Sequence, residues 1–289
     1  MRRKFISDQE WFFEDTFRLG EPTSSAFGLL PLNNVYAGKS PFQDIEIFDT
    51  EEYGRVLVLD GIIQLSTKYE FVYHEMLTHP AALCHGNPKR VLIVGGGDGG
   101  SLREVLKYPV KEVVLIDIDP KVIDVSKQYL SSVSTGAFGS NKLTIINDDA
   151  FTRIAEYRND FDLIISDCTD AYGPSESLWG QKFFGLVLNA LKNDGVASFQ
   201  TGFFKEKFAR DAGRAIRDIF PFTSLHRAYV ACFPFDECTF VVASQSIDCE
   251  SVSSDTLVDR YARYQLENDY YSPSIHKASA VLPRYLYEK

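Results

Sequence analysis

Carboxylates recur at the ends of apolar runs through the middle of this chain. Val91-Leu92-Ile93-Val94 leads into Gly95-Gly96-Gly97-Asp98-Gly99-Gly100. Val113-Val114-Leu115-Ile116 ends at Asp117, and Leu143-Thr144-Ile145-Ile146 leads to Asp148-Asp149-Ala150. Leu163-Ile164-Ile165 leads to Asp167-Cys168-Thr169-Asp170. The glycine segment satisfies G-x-G-x-x-G, in which glycines allow a tight turn and close approach of a ligand to the backbone. Dinucleotide enzymes and AdoMet-dependent enzymes share such loops, so the loop alone chooses neither. Asp98 is more informative, because a carboxylate inside the loop repels pyrophosphate. Asp117 falls about 20 residues past the loop, where an acid can take a ribose hydroxyl pair. No lysine or arginine occurs over residues 95–101 or 167–180. Clustered acids without a local base hold either a metal or an organic cation. The dense alternating ligands of a calcium loop are missing, which favours the organic cation.

Some of these acids have a plainer use. Asp119-Pro120 reads as a helix N-cap followed by proline at the first helical position, and Asp119 is expected to do no more than that. Asp148 or Asp149 either caps the next helix or faces a ligand; the residue types leave both open.

The apolar runs read as strands buried on both faces, with helical segments between them. Further strands are expected over residues 196–200, 225–231 and 239–243. Strand and helix in alternation predict a doubly wound, mostly parallel α/β sheet. Ligands of such sheets bind at the carboxyl ends of the strands, so five or six carboxylates should converge on one crevice. The preceding segment differs. Ile45-Glu46-Ile47-Phe48-Asp49, Arg55-Val56-Leu57-Val58-Leu59-Asp60 and Ile62-Ile63-Gln64-Leu65 read as an antiparallel meander. Phe71, Val72, Met76 and Leu77 then take helical spacing over residues 69–83. The expected division is an N-terminal β-strand domain, 1–67, and a catalytic α/β domain, 68–289.

Composition narrows the partners. The 289 residues include 45% hydrophobic residues, enough for a sizeable core. Thirty basic against 40 acidic residues give a net charge of −10. That disfavours a nucleic-acid binder, which needs a basic face, and a protein held on anionic lipid. The five cysteines are odd in number and contain no CxxC pair, so free thiols in a reducing cytoplasm are expected. Met1-Arg2-Arg3-Lys4-Phe5 leads into polar residues rather than an apolar signal core. No run of about 18 apolar residues predicts a membrane span.

Taken in order, the motifs carry a specific resemblance. They are Tyr73-His74-Glu75-Met76, the Gly95–Gly100 loop, Asp167-Cys-Thr-Asp170, and Gly173-Pro174-Ser-Glu176-Ser-Leu178. Phe42-Gln43-Asp44, Val58-Leu59-Asp60-Gly61-Ile-Ile-Gln64, and Tyr270-Tyr271-Ser-Pro-Ser-Ile-His276 leading to Leu282-Pro283 complete them. Together they resemble the polyamine aminopropyltransferase family, of which spermidine synthase is the type, over roughly residues 10–287. The resemblance implies a small N-terminal antiparallel β-domain on an AdoMet-methyltransferase-like, Rossmann-like α/β domain. It implies transfer of an aminopropyl group from decarboxylated S-adenosylmethionine, a co-substrate, to a diamine, with no cofactor or metal. By motif, Gln43, Gly95, Gly97, Asp117, Asp149, Ala150 and Pro174 should hold the methylthioadenosine part. Asp117 would take the ribose and Asp149 the adenine amino group. His74, Asp98, Asp167 and Asp170 should hold the polyamine, with Tyr73, Gln64 and Gln200 as walls of its channel. Asp167 matches the family's general base. Residues 168–180, flanked by glycines, suit a lid. Dimers, sometimes tetramers, are implied, often through the N-terminal strands; Phe12, Phe13 and Phe27 fit such an interface or a local core equally well.

The chain also departs from the family pattern. Asp117 stands where glutamate is usual, and Asp170-Ala171 where Asp-Pro is usual. Phe233, within 230–235, replaces a tyrosine whose hydroxyl helps orient the acceptor. Gln200-Thr201-Gly202-Phe203 is likewise unusual. The last two changes fall on the acceptor side. Putrescine is the first expectation, with cadaverine or agmatine as alternatives. A methyltransferase using intact AdoMet is the competing chemistry; its methionine carboxylate would have to enter a negative pocket. A non-enzymatic AdoMet-binding or polyamine-sensing module is the third reading.

Overall fold

Five strands rich in Val, Ile and Leu pair in parallel at the centre of the molecule. The computed structural model describes residues 3–14, 26–171, 173–233 and 236–283. Met1 and Arg2 of the basic start, and Pro234 and Phe235 of the 230–235 segment, lie outside these residues.

The chain opens with β1 (Arg3–Ile6), β2 (Gln9–Phe13) and β3 (Gly28–Leu29), a small antiparallel sheet. An antiparallel meander follows: β4 (Asn33–Lys39), β5 (Asp44–Thr50), β6 (Gly54–Leu59) and β7 (Ile62–Ser66). The helix α1 (Glu70–His85) leads to the main sheet. Its units are β8 (Arg90–Gly95), α2 (Gly100–Leu106), β9 (Glu112–Ile116), α3 (Pro120–Tyr129) and α4 (Ser131–Ser134). Then come β10 (Leu143–Ile146), α5 (Ala150–Ile154), β11 (Phe161–Asp167), α6 (Gln181–Ala190) and β12 (Leu191–Phe203). The chain continues with α7 (Lys207–Ile219), β13 (Phe222–Ala228), β14 (Cys238–Ser244), α8 (Ser254–Arg263) and α9 (Pro273–Ser279).

The seven-stranded sheet has the order β10-β9-β8-β11-β12-β14-β13. Only β14 and β13 run antiparallel to their neighbours, so the sheet is the expected Rossmann-like one with a hairpin at one edge. Strand periodicity makes its two cores. Val91, Ile93, Val113, Leu115, Leu163 and Ile165 face α1 and α2. Leu92, Val94, Val114, Ile116 and Ile164 face α5, α6 and α7. Two strands differ in extent from the sequence reading. The 225–231 strand spans Phe222–Ala228, and the 196–200 strand spans Leu191–Phe203.

The meander is buried on both faces. Ile45, Ile47, Leu57, Leu59 and Leu65 pack on Val122, Val125, Leu130 and Val133 of α3 and its surroundings. Phe48, Val56, Val58 and Ile63 join the α1 side of the main core, together with Phe12. Phe12 is fully buried against Phe48, with ring centroids 5.2 Å apart, and Phe27 packs on Tyr53 at 5.8 Å. Those rings therefore form a local core; among the described residues of this end, Phe5, Ile6, Leu32 and Phe42 are the exposed large apolar ones. Double-sided packing fixes the meander beside the carboxyl ends of the parallel strands.

Candidate active site

Chain order reverses between β8 and β11, so a crevice opens where their carboxyl ends part. Gly95 takes φ +76, and a Cβ there would lie 2.2 Å from the Asp167 carbonyl oxygen. The Gly96 N–H donates to that same oxygen at 2.9 Å. The glycine loop thus turns hard against the end of β11 and brings Asp98 beside Asp167. His74 arrives from α1. Its ring, Asp98 and Asp167 place one polar atom each within 4.8 Å of one another, a spacing that can cup a cation.

Asp167 is held on both oxygens. The Tyr73 hydroxyl donates to Oδ1 at 2.9 Å and the Ser101 hydroxyl to Oδ2 at 2.7 Å. Burial, then the charge of Asp98, raises its carboxyl above the usual range, while His74, Ser101 and Tyr73 pull the other way. Burial likewise pushes Asp170 up to about 6, opposed by a hydrogen bond from Gln200. The Gln200 Nε2 also donates to the Cys168 carbonyl at 2.7 Å.

The cleft encloses about 930 Å³, its open mouth included. Gln43, Gln64, Tyr73, His74, Gly95, Gly97, Asp98, Asp117, Asp149, Ala150, Asp167 and Pro174 all line it. Asp170, Gln200 and Phe233 stand outside these walls. The Phe233 ring lies 6.4 Å from that of Tyr73 and 5.9 Å from that of Phe203. Leu57, Leu59, Ile116 and Val122 supply apolar surface. Burial raises Asp117 to about 7, helped by the charges of Asp119 and Asp98 and opposed by backbone N–H groups of Asp119 and Gly97.

The capping alternatives resolve by geometry. Asp149 caps α5 through the Phe151 N–H at 3.0 Å and still lines the cleft. Asp148 accepts the Asp149 N–H at 2.8 Å and caps no helix. Asp119 corrects the sequence reading. It does cap α3, accepting from Lys121 N at 3.0 Å, but its other oxygen accepts from Ser40 Oγ at 2.6 Å and Gln43 Nε2 at 2.8 Å. It is a fully buried tie between the meander and the main sheet.

Residues 173–179 form a 3₁₀ turn over the cleft, with Pro174, Ser175 and Leu178 facing inward. The turn is tied to the strand end by Trp179 Nε1 donating to the Thr169 carbonyl at 3.0 Å and Thr169 Oγ1 to Ser175 Oγ at 3.1 Å.

Comparison with known proteins bears on this geometry. Residues 70–253 match the spermine/spermidine synthase domain, and residues 33–67 match the spermidine synthase tetramerisation domain. The chain is 38% identical over 279 residues to a polyamine aminopropyltransferase of Thermoanaerobacter sp. (strain X514), covering 96% of each chain. It is 38% identical over 271 residues to that of Bacillus subtilis (strain 168), covering 92% of this chain and 96% of the relative. The chain belongs to the spermine/spermidine synthase family. It is an aminopropyltransferase. The crystal structure of spermidine synthase from Thermotoga maritima superposes with a TM-score of 0.89 at 33% identity, covering 100% of this chain and 95% of that one. A spermidine synthase in complex with the transition state analogue AdoDATO gives 0.90 at 34% identity, covering 96% and 94%.

Four further residues shape this aminopropyltransferase cleft. Ser101 holds the Asp167 carboxylate, and Asp119 holds Gln43. Glu14 accepts from Ile63 N at 2.9 Å, next to Gln64; burial raises its carboxyl to about 7, the Ile63 N–H opposing and the Asp170 charge adding. Nothing in local spacing marks Glu14, because only the fold brings residue 14 to β7. Glu70 is the fourth, bonded to the His74 ring. Its i, i+4 spacing on one helix face is legible in the sequence. Among the described residues, no helix is long and apolar enough to cross a membrane.

Proposed function

We propose that the chain transfers the aminopropyl group of decarboxylated S-adenosylmethionine to putrescine, giving spermidine and methylthioadenosine, with Asp167 as general base. The observation that carries this reading is the setting of Asp167. It stands at the sheet's switch point, held on both oxygens, with its proton affinity raised and a second carboxylate and an imidazole beside it.

The donor carries a sulfonium and an ammonium, and the acceptor up to two ammoniums. Carboxylates offset the repulsion between them. An ammonium has no lone pair, so the attacking nitrogen first gives a proton to Asp167, which passes it to solvent. The nitrogen then forms its bond to the carbon attached to sulfur. The C–S bond breaks, its electron pair stays on sulfur, and neutral methylthioadenosine leaves. Holding the two substrates in line supplies much of the barrier reduction. Gln43, Asp117, Asp149, Ala150 and Pro174 hold the donor. His74, Asp98, Asp167 and Asp170 hold the acceptor between Tyr73, Gln64 and Gln200.

Cadaverine or agmatine is the second acceptor reading. It rests on Phe233, a ring without a hydroxyl packed behind Tyr73, itself a residue of the cleft wall. We further take the catalytic domain to begin at residue 68, the location to be cytoplasmic, and the assembly to be a homodimer or homotetramer. The match of residues 33–67 supports that assembly; a monomer in sedimentation equilibrium would oppose it.

The test incubates the protein with AdoMet or decarboxylated AdoMet and a panel of diamines, and identifies products by mass spectrometry. Spermidine and methylthioadenosine, from the decarboxylated donor only, are expected. S-adenosylhomocysteine would indicate methyl transfer instead. Asp167→Asn should abolish turnover while keeping donor binding; unimpaired turnover would sink the proposed base.

A further inference from the structure

Behind the acceptor side of the cleft, four charged side chains close on one another. The His74 Nδ1 lies 2.6 Å from Glu70 Oε2, and its Nε2 lies 3.3 Å from Asp98 Oδ1. Arg103 of α2 grips Glu70 with two N–H groups, Nη1 to Oε1 at 2.7 Å and Nη2 to Oε2 at 3.0 Å. Arg103 is itself fixed by the Val133 carbonyl at 2.5 Å and Glu104 Oε1 at 2.7 Å. His74 is 2% exposed and Glu70 6%, so water cannot replace these partners.

We propose that Glu70 is a positioning residue: anchored by Arg103, it keeps His74 doubly protonated, and that imidazolium holds Asp98 and keeps Asp167 ionised at neutral pH. The inference rests on the reading of Asp167 as the base.

Ionised carboxylates only accept hydrogen bonds. Glu70 takes a hydrogen bond at Nδ1 and Asp98 lies in ion-pair range of Nε2, so a carboxylate faces each nitrogen and both favour the ring that carries both protons. The bidentate arginine holds Glu70 in its ionised form. The ring has no room to turn away, because it packs on the Gly100 backbone, where a Cβ would lie 2.3 Å from Cε1. Of the groups facing His74, Glu70 and Tyr73 come from α1, Asp98 from the glycine loop, Asp167 from the end of β11 and Arg103 from α2. Only Arg103 repels a second cation, and its charge is taken by Glu70 and Glu104. Burial opposes the charged ring, but Asp98 and Glu70 outweigh it and hold His74 well above the usual imidazole range. Asp98 and Glu70 are correspondingly held below the usual carboxylate range.

The four charges cancel, two against two. The Asp98 charge is therefore partly offset by His74, and Asp167 and Asp170 supply most of the attraction for the acceptor's ammoniums. The imidazolium beside Asp167 offsets what burial and Asp98 add to its proton affinity. Losing an opposite charge at this range shifts a carboxyl by about 1 unit or more.

The test begins with the unaltered protein. Nitrogen NMR of the imidazoles, with His74 assigned by its absence in His74→Gln, should report both His74 nitrogens protonated from pH 6 to 9. A singly protonated ring at pH 8 overturns the proposal whether or not Glu70→Gln folds. In Glu70→Gln, His74 should lose a proton near neutral pH. The acidic limb of kcat/KM for the acceptor should then move up by about 1 unit, with the KM for the donor unchanged. Glu70→Asp should restore both. A deprotonated His74 with an unmoved limb overturns the functional half. Full activity of Asp167→Asn would instead remove the base reading and leave the His74 result standing.

Discussion

Asp167 and Asp170 lie three residues apart, yet different neighbours set their proton affinities. Asp167 balances burial and Asp98 against His74 and two hydroxyls. Asp170 answers to burial, with Gln200 the group opposing it, and reaches about 6. Asp170 is therefore ionised at pH 8 and protonated at pH 5. A diamine stays dicationic across that range, so any change in its binding belongs to the protein. The KM for the acceptor should rise as pH falls through about 6, approaching tenfold per unit below it. Asp170→Asn should raise KM at pH 8 and flatten this dependence. Steady-state kinetics from pH 5 to 8 decides it, and a flat wild-type KM would oppose it. At this scale the sequence was legible wherever an acid ends a strand: Asp98, Asp117, Asp149 and Asp167 all face the cleft. The groups behind the walls were not, because Ser101 bonds Asp167 across 66 residues and Glu14 bonds the Ile63 N–H across 49. Only tertiary packing sets such pairs.

The elements that carry these residues were legible for a related reason. A run such as Val91-Leu92-Ile93-Val94 has no polar face, so it can only be a central strand, and its loop must reach the sheet's edge. The ends of β12 and β13 were less legible, since pairing with β11 and β14, not composition, sets where they stop. Asp119 exposes the limit most clearly. Its local pattern, Asp-Pro before a helix, marks the cap and carries no hint of the second task. That task joins two sheets: Asp119 takes Ser40 and Gln43 from the β4–β5 turn, while its own N–H donates to Asp117 at 2.9 Å. One buried carboxylate thereby sets the spacing of two cleft-lining groups, Gln43 and Asp117. Asp119→Ala should raise the KM for the donor roughly tenfold, equivalent to the loss of about 1.4 kcal/mol in charged hydrogen bonding. The KM for the acceptor should move much less. Equal effects on the two would mean that Asp119 supports the fold as a whole rather than the donor side.

The whole molecule carries an excess of ten negative charges, and the part of it inside the cleft has a thermodynamic signature. Asp117 is raised to about 7 in the folded protein and returns to the ordinary aspartate range, near 4, when the chain unfolds. Between those values the folded state binds more protons than the unfolded state. The linkage relation then makes stability fall as pH rises, by at most about 1.4 kcal/mol per pH unit for one group. Other groups run the opposite way. Burial, with the charge of His276 adding, lowers His226 to about 3, so its contribution is present above the ordinary imidazole value and lost as pH falls. A bare stability profile therefore mixes signs. The difference between wild type and Asp117→Asn isolates one group, because His226 and the remaining acids are common to both. Urea unfolding of the unliganded proteins should show the variant gaining on wild type steadily from pH 4 to 7, then levelling. Saturating methylthioadenosine should reverse the order at pH 8, because only wild type offers an ionised carboxylate to the ribose. A pH-independent difference would mean that Asp117 is an ordinary carboxylate in the empty cleft. The cleft's negative charge would then carry no stability cost at that position.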